Sequence, residues 1–90
     1  MEVLRKHYYV YQITNNLNGK VYVGAHATDN LNDGYMGSGV RIQQAIEKYG
    51  LENFSKTILF EGTSWQDVLE KEAEIVTPEF ILRDNTYNLR

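Results

Sequence analysis

The chain contains no cysteine, and that absence excludes a disulfide scaffold, a zinc finger and a thiol nucleophile together. It has one proline, no internal repeat and no low-complexity stretch, so neither a solenoid nor a proline-rich linker is written into it. No apolar run approaches the ~18 residues that a membrane-spanning helix needs. The opening MEVLRKHYYVYQ lacks an apolar core and a small-residue cleavage site, so no secretory leader is expected. A basic surplus is missing as well: nine Lys and Arg stand against twelve Asp and Glu, for a net charge of −3. Free-standing nucleic-acid binders usually carry a basic excess. If this chain acts on DNA or RNA, its own phosphate contacts must be few, and most affinity must come from elsewhere.

What is present suits one small folded domain. Ninety residues, 42% hydrophobic and 23% charged, are too apolar for a disordered chain. A domain of this size buries only about 60–65% of its unfolded surface, so its core must be compact. The expectation is a soluble, cytoplasmic domain with no membrane partner. Tyrosine is the unusual count: there are seven, and Tyr8, Tyr9, Tyr11 and Tyr22 all fall in the first quarter.

Residues 7–14 (HYYVYQIT) and 20–24 (KVYVG) are rich in β-branched and aromatic side chains and read as strands. Asn18-Gly19 between them is a strong hairpin signal. Residues 27–39 form a turn-rich loop long enough to suspect function. From Val40 to Tyr49, Ile42, Ala45, Ile46 and Tyr49 recur at helical spacing, and Gly50 is a natural stop. Phe54 to Glu61 predicts a third strand ended by Gly62. Ser64 can cap the next helix with Asp67 three residues on. Thr77-Pro78 ends that helix and starts a short one. The order β-β-α-β-α-α gives a small α+β domain with an antiparallel sheet.

Two placements carry chemistry. On a helix beginning near Ser64, the apolar stripe is Trp65, Val68, Leu69 and Val76, and Glu72 falls at its centre while Glu70, Lys71 and Glu74 point away. A carboxylate facing a core is costly unless it is paired or binds a metal. Its alternatives are a buried ion pair or a shifted helix register. In the hairpin, a two-residue turn sets Tyr22 across from Asn15 and Gly24 across from Ile13. Tyr9, Tyr11 and Ile13 then share a face with Tyr22, Gly24 and, if pairing continues, His26, opposite a face of Val10, Val21 and Val23. A four-residue loop leaves that parity unchanged. Strand tyrosines are also common packing residues with a polar tip.

The pair Tyr9-Val10-Tyr11 and Tyr22-Val23-Gly24 around an Asn-Gly hairpin resembles the signature of the GIY-YIG nuclease family. The remaining elements follow in order: residues 35–39 (YMGSG) before a helix ending Lys48-Tyr49-Gly50, then Asn53-Phe54, as in phage members related to homing endonucleases. Glu72 matches the family's metal-binding glutamate, and Tyr87-Asn88 its late asparagine. The resemblance implies a three-stranded antiparallel sheet flanked by helices and hydrolysis of DNA phosphodiesters with one divalent ion, Mg2+ or Mn2+. A magnesium ion takes one or two carboxylates plus waters and phosphate oxygens, so a single Glu72 suffices chemically. Tyr11 would act on the attacking water as its base or orienter, Tyr22 would hold the scissile phosphate or its water network, and Asn88 would support the site. A phenol of pKa near 10 is only about 0.1% ionised at pH 7, a deficit of roughly 4 kcal/mol for a phenolate base.

Three departures from the pattern stand out. Tyr9 occupies the glycine position of the first motif. Many members carry a catalytic arginine soon after the second motif, whereas residues 25–32 (AHATDNLN) have none, and loop 27–39 stands in place of that helix. His26, on the tyrosine face, and Arg41, in the first turn of the helix, are the available substitutes; a strand-end imidazole and a solvated helix residue are their plainer readings. Relatives usually continue into a DNA-binding region, so residues 1–90 read as a catalytic domain whose targeting half is fused elsewhere or separate. A domain that kept this fold as a non-catalytic nucleic-acid-binding module is the alternative. A small-molecule hydrolase has no nucleophile pattern behind it.

Overall fold

The computed structural model describes residues 4–88. Strands β1 (His7–Asn15), β2 (Val21–Thr28) and β3 (Phe54–Gly62) form one antiparallel sheet in the order β2-β1-β3. Helix α1 (Val40–Tyr49) covers one face, and α2 (Trp65–Ile75) the other, followed by the single-turn α3 (Pro78–Ile81). The α+β order read from the sequence is the observed one. No described helix is long and apolar enough to cross a membrane.

Central position explains why β1 is aromatic on both sides. Tyr9, Tyr11 and Ile13 pack with Ile42 and Ala45 of α1, while Tyr8 and Val10 pack with Val23 and with Val68 of α2. A strand covered on both faces buries nearly every side chain, and each such burial is worth about 1.5–3 kcal/mol.

The hairpin differs from the two-residue turn in register but not in parity. β1 runs to Asn15, the loop takes four residues (16–19), and Tyr22 lies across from Ile13 while Gly24 lies across from Tyr11. The cause is Asn15. Its buried amide is drawn inward by the Tyr87 hydroxyl (3.0 Å), and its Oδ1 accepts from the Leu17 N–H, so the chain turns there. Gly19, at φ +78°, supplies the left-handed residue that closes the loop. Strand β2 also continues to Thr28, so the loop proper spans 29–39.

The helix boundaries follow their caps. Ser64 Oγ accepts from the Asp67 N–H, and Asp67 reaches back to the Thr63 N–H and hydroxyl. Thr77 caps α3 at Phe80 N–H, with Pro78 at the first helical position. Asn53 donates to the Tyr49 carbonyl (2.6 Å) and turns the end of α1 into β3. One member of the expected α2 stripe is displaced: Leu69 is 37% exposed, and Ile75 packs toward the core instead. Glu72 keeps its place on the inward face, one turn beyond the fully buried Val68.

Candidate active site

The site is built on the free edge of β2. An edge strand presents unpaired N–H and C=O groups that must be satisfied. Here the outward groups of Val21 and Val23 are met in turn. Val21 N–H donates to the Asn85 carbonyl and the Val21 carbonyl accepts from the Tyr87 N–H. Val23 is paired on both sides by the Asn88 amide: its N–H donates to Oδ1 (2.9 Å), and its carbonyl accepts from Nδ2 (2.7 Å). The Ala25 N–H faces the Glu72 carboxyl and lowers its pKa against the effect of burial. One strand edge thereby fixes residues from the chain's end and from α2 beside Tyr22. Asn88 is a positioning residue, because its amide is engaged by the Val23 backbone and the Thr86 hydroxyl. Asn88→Ala leaves the buried Val23 N–H and carbonyl without partners, and it should lower stability by about 1–3 kcal/mol, read as a reduced denaturant midpoint at unchanged slope.

Tyr22 and Glu72 meet in one cleft of about 350 Å³, whose walls also include Gly39, Val40, Tyr87 and Asn88. Glycines make room for the Tyr22 and Tyr11 rings. A Cβ on Gly39 would stand 2.9 Å from that ring, and one on Gly24 would stand 2.5 Å from the Tyr11 hydroxyl. This is the physical reason for glycine at the third place of Tyr22-Val23-Gly24, since any side chain would push Tyr11 out of position.

Tyr11 lies beneath the cleft rather than in its wall, and it is 1% exposed. Its phenol is pushed well above the usual range, by burial first and then by hydrogen bonding to Tyr35. Tyr22 is raised by burial first, with further contributions from Tyr35 and from the Glu72 charge, against which hydrogen bonds to Tyr11 and Ser38 act. Tyr9 is pushed up to about 12, chiefly by burial. All three therefore hold their protons at neutral pH, and the cost of making a phenolate exceeds that of a free phenol. These tyrosines can donate and orient far more readily than they can abstract.

Glu72 is half-buried, and desolvation raises its pKa while the Ala25 N–H opposes the rise. Among the described residues it takes part in no ion pair, so the buried-pair explanation for its inward position falls away. No described group of three His, Asp or Glu side chains could cage an ion. The donor set fits a magnesium-type ion nonetheless: one unpaired carboxylate with lone pairs to spare, opening on a cleft with room for waters and a phosphate.

His26 sits on the tyrosine face, away from the cleft wall. Its ring stacks on Tyr35 at 3.6 Å, and its Nε2 lies 2.9 Å from Asp33 Oδ2. Hydrogen bonding to His26, and then to the Tyr35 N–H, holds the Asp33 carboxyl far below the usual carboxylate range. An ionised carboxylate only accepts, so Nε2 carries the proton toward it. Arg41 is exposed on α1 and lines a neighbouring groove, while its sequence neighbour Val40 lines the cleft. Thus Tyr22, Glu72 and Asn88 come together, Tyr11 and His26 lie behind them, and Arg41 lies to one side.

Three participants were not singled out in the sequence. Tyr35 and Asp33 come from the loop, whose turn chemistry marks it as a loop but not where it folds back. Lys56 donates to the Tyr9 hydroxyl (2.6 Å) and to the Tyr35 carbonyl (2.8 Å), and its ammonium lies 4.8–5.5 Å from the ring centroids of Tyr9, Tyr11 and Tyr35. Desolvation lowers its pKa. It ties the loop to the tyrosine face from the side opposite the cleft. A bulge in β3, where pairing shifts between Val10↔Phe60 and Tyr11↔Ile58, sets Lys56 on this face and Phe60 on the other.

A phenol and an unpaired carboxylate converging on the sheet edge, with a terminal asparagine pinning the strand between them, define a class of small catalytic domains. The GIY-YIG catalytic domain model matches residues 7–88, and the chain belongs to that family. Similar proteins come from Enterobacteria phage T4. The chain is 54% identical to segD, named a candidate endonuclease, over 90% of its own length and 36% of the relative's. It is 54% identical to segE, named likewise, over 93% and 41%. It is 45% identical to the endonuclease segA over 96% and 39%. The chain therefore spans well under half the length of these relatives. No solved structure gives a significant match.

Proposed function

We propose that these residues are the catalytic domain of a homing-type DNA endonuclease that hydrolyses phosphodiester bonds with Mg2+ or Mn2+ held at Glu72. The observation that carries this reading is the convergence of Tyr22 and Glu72 in one cleft. The ion, when bound, supplies Lewis-acid charge to the phosphate and a more acidic water. The chain's own residues do the rest. The Tyr22 phenol donates to a phosphate oxygen or to the attacking water. Tyr11, packed beneath with its ring centroid 6.1 Å from that of Tyr22, steadies that phenol from below. His26, oriented by Asp33 and stacked on Tyr35, steadies the tyrosine face behind Tyr22. Asn88 keeps β2 in register with Glu72. Arg41, in the groove that shares Tyr87 with the cleft, offers its permanent charge to the DNA phosphates from that side, since a guanidinium stays charged throughout the working pH range.

Sequence choice is assigned to a DNA-targeting region outside these residues, a reading supported by the greater length of the relatives. Endonuclease activity in the relatives' names supports DNA as the substrate. The test is conversion of supercoiled plasmid to nicked or linear product. It should require Mg2+ or Mn2+, stop on chelation and resume when the ion is returned. A folded chain that binds DNA but cuts under neither ion would instead be a non-catalytic module.

A further inference from the structure

The chain is acidic overall, yet three of its nine Lys and Arg residues crowd one groove beside the cleft. Lys20, at the end of the hairpin, and Arg41 and Lys48, on α1, line a groove of about 220 Å³ that has no carboxylate among the described residues of its walls. Arg41, Gln44 and Lys48 recur at i, i+3 and i+7, which sets them in one row along the helix. None of the three cations takes part in an ion pair among the described residues, whereas Arg5 pairs with Asp29 and Lys71 with Glu74. Three like charges with no counter-charge are a standing repulsion that a polyanion relieves.

The groove continues the cleft. Tyr87 lines both, and the consecutive residues Val40 and Arg41 face one each. Lys20 lies over the Tyr87 ring at 5.7 Å, on the groove side of that shared wall. We infer that this groove seats the phosphates flanking the one held in the cleft, so that the DNA strand runs from Glu72 past Tyr87 and along α1 to Lys48. The inference rests on the endonuclease reading and adds the path of the substrate to it. From Arg41 to Lys48 the helix rises about 10 Å. Phosphates of one strand recur every ~3.4 Å along the duplex axis, so the row covers about three nucleotides on one side of the cut.

The test is the salt dependence of binding to a generic DNA duplex by the 90-residue chain without divalent ions, followed by fluorescence anisotropy. Three phosphate contacts give a slope of log K against log salt of about −2.7. Lys20→Ala with Lys48→Ala should reduce it to about −0.9, whereas Lys6→Ala with Lys71→Ala should leave it unchanged. The double Gln variant should repeat the groove result, with circular dichroism confirming the fold. An unchanged slope in the groove pair, an equal loss in the control pair, or no binding by the parent at 50 mM salt overturns the proposal. In cleavage, the groove pair should raise KM and spare kcat. Groove-dependent binding without cleavage under either ion would sink the endonuclease reading and keep the groove. Cleavage with an unaltered KM in the groove pair would do the reverse.

Discussion

Glu72→Gln should abolish cleavage at any Mg2+ or Mn2+ concentration, while the fold stays as stable as the parent's or becomes slightly more so. The two halves of that result have separate causes. The amide oxygen can still accept from the Ala25 N–H, so the sheet edge keeps its partner there. The negative charge that would hold the ion is gone. Stability should not fall, because the folded state raises the pKa of this carboxyl: burial disfavours its charged form, and the charge has no cationic partner among the described residues. The sign follows from linkage. A carboxyl with a raised folded pKa is a net cost above that value, and the cost vanishes as pH falls through the window between its folded and unfolded values. The parent should therefore approach the variant's stability in mild acid and lie at or below it at neutral pH. Chemical denaturation of both proteins across that range reads it. A loss of several kcal/mol in the variant would mean that Glu72 is half of a structural pair.

Tyr22→Phe should lower the cleavage rate by at least about 10²-fold, the usual minimum for a lost proton-transfer or proton-donating group. The ring stays seated over Gly39 and Gly37, so packing is conserved and the hydroxyl alone is tested. Tyr11→Phe should act in the same direction but through Tyr22, because Tyr11 is buried and packs against Tyr22 and Tyr35 rather than lining the cleft. The double variant should then be little slower than Tyr22→Phe alone. Tyr8→Phe, on the opposite face of β1, should leave the rate near the parent's. Equal small effects at all three positions would reduce the tyrosines to packing. Multiplying effects at Tyr11 and Tyr22 would give Tyr11 a contact of its own with the substrate.

The fold was legible where short-range rules decide it. Caps at Ser64 and Thr77, the stop at Gly50 and the alternation of β1 all act within a few residues, so their outcomes can be read from neighbours. The parity of the hairpin survived a shift in register because the turn lengthened by two residues, and side chains alternate with that same period. Glu72 was legible for a related reason: helical periodicity places it inward even though Leu69, on the border of the stripe, turned out exposed. Long-range placements were not legible. Lys56 reaches the tyrosines only because a β3 bulge changes which face it occupies, and nothing local to residues 54–62 announces the bulge. The depth of Tyr11 depends on Tyr35 folding back from a loop whose composition specifies turns but no destination. Arg41 lies in the first turn of α1, as helical spacing predicts, but that it lines the groove rather than the cleft involves Tyr87, a wall of both that is distant in sequence.

The account's central claim is that Glu72 and Tyr22 share one metal-assisted site at the free edge of β2. A Mn2+ titration of the 15N-labelled chain, followed by paramagnetic broadening of its amide resonances, tests that claim without relying on cleavage. Broadening should centre on Tyr22, Ala25 and Glu72, spare residues 31–36 near Lys56, and vanish in Glu72→Gln. Broadening that centres instead on Asp29 and Asp33 and is the same in parent and variant would contradict it.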